Sequence, residues 1–152
     1  MEVTVRSAKE NDVEQLAGLM GELGYPATKE EMQKRFSKIN AALSYHTFVA
    51  VVDDSVVGMI GMMESHHYER NDDYIRIVAF VVASAYRNHG VGRKLLEKTE
   101  SLARKKGIHK LVLNSGNRDE RNESHRFYER SGFEGKATGF YKMLDSVDSQ
   151  NE

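Results

Sequence analysis

Val3 and Val5 alternate with polar neighbours at the start of the chain, which is the period of a short strand. Asn11, with Glu14 three residues on, offers a helix cap, and Val13, Leu16, Ala17, Met20 and Leu23 recur at helical spacing. An amphipathic helix is predicted there, ended by Gly24-Tyr25-Pro26. Thr28 with Glu31 repeats the capping pattern ahead of Met32, Phe36, Ile39 and Leu43, the buried stripe of a second helix. The period then changes. Thr47 to Asp53 and Val56 to Met63 are β-rich stretches joined by Asp53-Asp54-Ser55, the pattern of an antiparallel hairpin. Tyr74 to Ala83 carries Ile75, Ile77, Val78, Phe80, Val81 and Val82, apolar enough to be covered on both faces, and is predicted as the central strand. A helix follows from about Val91 to Lys106, with Val91, Leu95, Leu96, Leu102 and Ala103 inward and Arg104-Lys105-Lys106 complementing its negative end before Gly107. Lys110 to Asn114 reads as a strand, Asn122 to Ser131 as a helix stopping at Gly132-Phe133, and Phe140 to Leu144 as a last strand.

The order βααβββαβαβ predicts an α/β (α+β) fold, a mixed central sheet with helices on both faces. One domain is expected over residues 1–144, with 145–152 a disordered tail. A chain of 152 residues is long enough to hide roughly 70% of its unfolded surface in one core. Acidic and basic residues nearly cancel, 23 against 22, so the field that draws nucleic acid or an anionic membrane is missing. The first residues lack a basic stretch followed by an apolar run, and no apolar segment approaches the roughly 18 residues that span a bilayer. A cytoplasmic protein is the default expectation. Without cysteine, disulfides, thiol nucleophiles and thiolate metal sites are excluded. His66 and His67 have no ligand pair nearby at helical spacing, so no metal is expected.

Arg87-Asn88-His89-Gly90-Val91-Gly92 lies where the long apolar strand gives way to a helix. Gly90 and Gly92 can adopt positive φ and let an anion approach the first N–H groups of that helix, which are unpaired and carry about half a positive charge. A diphosphate suits such a site, and Arg87 and Arg93 flank it. Leu95 stands where a dinucleotide fingerprint needs its third glycine, and the Gly-Lys-Ser or Gly-Lys-Thr of a P-loop is absent. A plain strand-to-helix turn would also account for the two glycines.

These residues match the signature of the GNAT superfamily of N-acyltransferases, Gln or Arg, two residues, Gly, one residue, then Gly or Ala. Asn122-Glu123-Ser124-His125-Arg126-Phe127-Tyr128-Glu129-Arg130-Ser131-Gly132-Phe133 resembles that family's second motif. The likeness is by residues from Val78 to Phe133 and by pattern elsewhere. It implies a GNAT-like sheet and acetyl-coenzyme A as cosubstrate. Arg87, Asn88, His89, Gly90, Val91, Gly92 and Arg93 would hold the diphosphate, and Phe80, Val81 and Val82 would line the pantetheine arm. By the same resemblance the N–H of Val82, or of a residue to either side, would face the thioester oxygen. Tyr128 would stand beside the coenzyme sulfur as general acid, and Asn122 would bind the coenzyme or cap its helix. His125 replaces a residue that is usually small.

A phenol of pKa about 10 protonating a thiolate of about 8.5 is uphill by roughly 2 kcal/mol, which suits a hydrogen bond or partial transfer. Packing between Phe127 and Phe133 is the alternative role for Tyr128. A lysine-like amine of pKa about 10.4 needs roughly 4.6 kcal/mol to lose its proton at pH 7. Certain family members place a glutamate on the central strand, whereas nothing between Tyr74 and Arg87 is acidic here. Glu64, His66, His67, Asp72 and Asp73 are the remaining bases. Glu22, Glu64, Asp72 and Asp73 could line a site for a cationic amine or form a solvated surface. The resemblance implies an N-acetyltransferase acting on a primary amine of a small molecule or a protein, with a homodimer as its expected assembly. The alternative function is a non-catalytic acyl-coenzyme A-binding sensor.

Overall fold

Residues 1–114, 122–136 and 139–144 are described by a computed structural model. The elements run β1 (Thr4–Ser7), a 3-10 turn (Glu10–Asp12), α1 (Val13–Leu23), α2 (Lys29–Ala41), β2 (Tyr45–Val52), β3 (Ser55–Ser65) and β4 (Tyr74–Val82). A second 3-10 turn (Ser84–Tyr86), α3 (Val91–Lys105), β5 (Leu111–Leu113) and α4 (Asn122–Arg130) complete them. The chain divides into two compact units, Met1–Leu113 and Asn114–Glu152. No helix of the described residues is long and apolar enough to cross a membrane.

The first unit holds a five-stranded sheet in the order β1-β2-β3-β4-β5. The first four strands are antiparallel neighbours, and β5 runs parallel to β4. Asp53 and Asp54 both take positive φ, as a two-residue hairpin turn requires, and Ser55 pairs with Val52 as part of β3. Alternation along β3 divides the core. Met59 packs with Val13, Leu16, Met32, Phe36, Val49 and Val81 beneath α1 and α2, whereas a Cβ on its neighbour Gly58 would meet Leu95 and Val91 of α3. Helices thus cover both faces. The second unit contains α4, where the Tyr128 ring meets Phe127 and Phe133 edge-on at 5.8 and 5.9 Å.

Four sequence expectations need correction. Asn11 does not cap α1. The Asp12 carboxylate accepts the Lys9 N–H at 2.7 Å and binds the Arg6 guanidinium through both oxygens at 2.8 and 3.0 Å. Leu43 lies past the end of α2 and is exposed, so that stripe ends earlier. Among the described residues the middle strand is β3, while β4 lies between β3 and β5 with Val78 49% exposed. Residues 139–144 form no strand, and Phe140, Tyr141, Met143 and Leu144 are exposed. The expected tail, 145–152, lies outside the described residues.

Candidate active site

β4 leads through the Ser84–Tyr86 turn to Arg87, then Asn88 with φ 64° and Gly90 with φ 82°. These left-handed residues turn the chain into α3, whose first internal bond runs from the Lys94 N–H to the Gly90 carbonyl at 3.1 Å. Gly92 lies inside the helix, and Asn88 is the second left-handed residue in its place. Among the described residues no side chain caps α3, so its first-turn N–H groups and their partial positive charge remain available to an anion. His89 and Arg93 are exposed beside them. Arg87 is anchored, its Nε donating to the Val82 carbonyl at 3.1 Å and its Nη2 lying 3.9 Å from Glu22. Both Glu22 oxygens accept the Ser84 N–H at 3.2 and 3.3 Å, tying α1 to the turn.

Among the described residues the β4–β5 ladder pairs Ile75, Ile77 and the residue between them with Leu111 to Leu113. Val78 is the extra residue where the β3 register shifts, Gly61 facing Ala79 and Met62 facing Ile77. Beyond that bulge the backbone directions follow from the Ala83 N–H donating to the Val57 carbonyl at 2.8 Å. Antiparallel alternation turns Val81 toward β3 as well and leaves the Val82 N–H directed away from it, on the β5 side. Of the three amides expected to face a thioester oxygen, Val82 is therefore the one directed to the β5 side of the strand. Phe80 shares that direction, and Val81 is buried in the core under α1.

The model of the GNAT acetyltransferase family matches residues 13–133. The chain belongs to this family. A GNAT family acetyltransferase from Staphylococcus aureus subsp. aureus USA300_TCH1516 is 32% identical, with 95% of this chain and 100% of that one covered at a TM-score of 0.80. A transcriptional regulator from Bacillus halodurans C-125 shares the fold at 24% identity, with 94% and 100% covered and a TM-score of 0.84. Glucosamine-6-phosphate N-acetyltransferase from Arabidopsis thaliana shares it at 22% identity, with 95% and 100% covered and a TM-score of 0.79. No curated protein matches the chain.

The stretch that resembles the second GNAT motif occupies α4 and the turn after it. Asn122 opens the helix, and Tyr128 and His125 are half-buried on it. The Tyr128 carbonyl accepts the Phe133 N–H at 3.0 Å, closing the helix at Gly132.

The four acids considered for a cationic amine do not converge. Glu22 serves the Ser84 turn, at the opposite end of β4 from the rest. Glu64 faces the α3 side of the sheet, where its carboxylate meets His46 Nε2 at 2.7 Å and Lys106 Nζ at 3.1 Å. The His46 bond, aided by Lys106 and opposed by burial, lowers the Glu64 pKa, which weakens it as a base. Asp72 binds Arg70 at 2.7 Å, a bond that lowers the carboxyl pKa. Asp73 meets His66 Nδ1 at 2.7 Å and raises the imidazole pKa, with both side chains well exposed. His67 stacks on Tyr74 with ring centres 4.5 Å apart. No group of three or more metal-binding side chains occurs among the described residues. Sequence reading missed Gly58 and the partners His46 and Lys106. A glycine in the middle of an apolar strand was the available signal for the first.

Proposed function

We propose that the chain is an acetyl-coenzyme A-dependent N-acetyltransferase for a primary amine of a small molecule or protein. The observation that carries this reading is the uncapped start of α3, opened by left-handed Gly90, beyond a β4 segment, Val78 to Val82, that the described β4–β5 ladder does not include. A diphosphate suits the first and an extended amide-bearing arm suits the second. When bound, the coenzyme would supply the acetyl group as a thioester. The α3 N–H groups, with Arg87 and Arg93, hold the diphosphate, and the backbone from Phe80 to Val82 holds the arm. The Val82 N–H donates to the carbonyl oxygen as it gains charge during attack by the neutral amine. The Tyr128 hydroxyl donates to the departing sulfur. With Glu64 held by His46 and Lys106, proton removal falls to solvent or to the exposed His66–Asp73 pair.

Thermal unfolding with and without acetyl-coenzyme A tests the binding half. At about 100 times its dissociation constant a ligand adds roughly 2.7 kcal/mol, or about 5–10 °C at this size. Such a shift, absent with adenosine, is expected, and no shift removes the reading. Thiol release across an amine panel tests the chemistry. Tyr128→Phe is expected to cut kcat by about 10–100-fold while the thermal shift survives; unchanged turnover takes Tyr128 out of the mechanism. Tight coenzyme binding without thiol release from any amine would favour the sensor.

A further inference from the structure

At the start of β4, Tyr74 pairs with Ser65 and Arg76 with Met63. Both pairs lie on the Met59 face of β3, the side carrying α1 and α2. There Arg76 Cζ lies 5.7 Å from the Tyr74 ring centre and Lys110 Nζ lies 5.6 Å from it, while His67 stacks on the same ring. Two like charges thus share one half-buried tyrosine, and among the described residues neither has a carboxylate partner. The neighbouring acids are engaged elsewhere, Asp72 with Arg70, Asp73 with His66 and Glu69 with His67. His67 Nε2 is buried without a hydrogen-bond partner among the described residues, a state folded proteins rarely tolerate. The cluster therefore combines uncompensated positive charge, an aromatic floor and an unsatisfied polar atom.

We infer that Arg76 and Lys110 form a subsite for an anionic oxygen group, carboxylate or phosphate, carried by the acceptor amine. A guanidinium and an ammonium beside one ring offer several donors to one oxyanion, whose charge relieves their mutual repulsion. At about 3.3 Å per residue, Arg76 lies on the order of 15–20 Å along β4 from the Val82 amide. Hydrogen bonds of about 3 Å to the thioester oxygen and to the oxyanion, and an attack distance of about 3 Å, take up part of that distance, leaving on the order of 10 Å between reacting amine and oxyanion. A compact amino acid or amino phosphate of that length fits, and an oligocation does not. The assignment rests on the N-acetyltransferase reading for the identity of the amine, while the oxyanion site itself stands on the cluster.

Three amines of one chain length separate the outcomes: aminohexanol, aminohexanoate and aminohexyl phosphate. With wild-type protein and acetyl-coenzyme A, kcat/KM is expected to favour the anionic amines by about ten-fold or more. The better of the two identifies carboxylate or phosphate. Arg76→Gln and Lys110→Gln should each remove most of that preference and leave kcat/KM for aminohexanol and the coenzyme-induced thermal shift unchanged. Equal use of all three amines, or equal loss for all three in the variants, overturns the subsite. Equilibrium binding of the same compounds, followed by NMR of the protein, provides a readout without turnover. Anion-selective binding that Arg76→Gln abolishes supports the subsite even if no amine is acetylated, a result that would count against the acyltransfer reading alone. Wild-type protein that binds neither anionic compound refutes the subsite.

Discussion

Asp12 keeps its charge in a position almost closed to solvent because Arg6 supplies two hydrogen bonds and the Lys9 N–H a third. The Arg6 hydrogen bond is the largest influence and lowers the Asp12 pKa against an opposing effect of burial. A carboxyl whose folded pKa is depressed contributes stability that is present above its unfolded pKa, about 3.9, and is lost as pH falls through the folded value. Asp12→Asn is therefore expected to cost about 1–3 kcal/mol at pH 7, and the gap to wild type should narrow below about pH 4. Urea unfolding of both proteins at neutral and acid pH measures it, and an equal gap at both would mean that the charge is immaterial. The same reasoning separates two roles for Glu64. As a partner of His46 and Lys106, its replacement by Gln should cost about 0.5–1.5 kcal/mol with kcat/KM nearly kept. A fall of about 100-fold or more would place it in the proton path.

Element by element, what could be read locally in the sequence matches the structure and what depends on distant partners does not. The Thr28–Glu31 capping box forms both its bonds, at 3.0 and 2.9 Å, because its members lie three residues apart. Asn11 was misread because the group that organises that turn, Asp12, is held by a strand residue, Arg6. The apolar run of β4 suggested a central strand, yet Val78, at the bulge, is 49% exposed. The apolar residues from Phe140 to Leu144 resemble a strand, but a strand also needs a neighbour, which periodicity does not report. The turn from β4 into α3 over Arg87 to Gly92 was legible because it is contiguous, although Asn88 takes the left-handed conformation expected of Gly92, whereas the His46–Glu64–Lys106 group draws on three parts of the chain. Gly58 belongs with the hidden features. A Cβ there would come within 3.2 Å of Leu95 and Val91 and 3.3 Å of the Val81 carbonyl, so α3 owes its close approach to that glycine. Gly58→Val is expected to cost about 1–3 kcal/mol by overpacking and to weaken acetyl-coenzyme A binding, since Val91 begins α3. Stability lost with the coenzyme dissociation constant unchanged would uncouple the strand from the anion site.

Across the whole molecule, 22 basic and 23 acidic residues almost cancel, so no global field gathers an anionic coenzyme. On the proposed reading attraction is local, from the first turn of α3 and from Arg87, His89 and Arg93 around it. Such contacts are short compared with the Debye length of about 10 Å at 0.1 M salt, and only their exposed part is screened. Raising salt from about 0.05 to 0.5 M should accordingly weaken acetyl-coenzyme A binding by less than about ten-fold, far from the steep dependence of a protein that covers a polyanion. Arg87 is itself restrained by Val82 and Glu22, which fixes its guanidinium at the turn while half of it stays exposed. Arg87→Gln is expected to raise the dissociation constant by about ten-fold and to flatten what salt dependence remains. A steep salt response in wild type that survives Arg87→Gln would move the source of attraction away from the α3 turn to charges elsewhere on the surface.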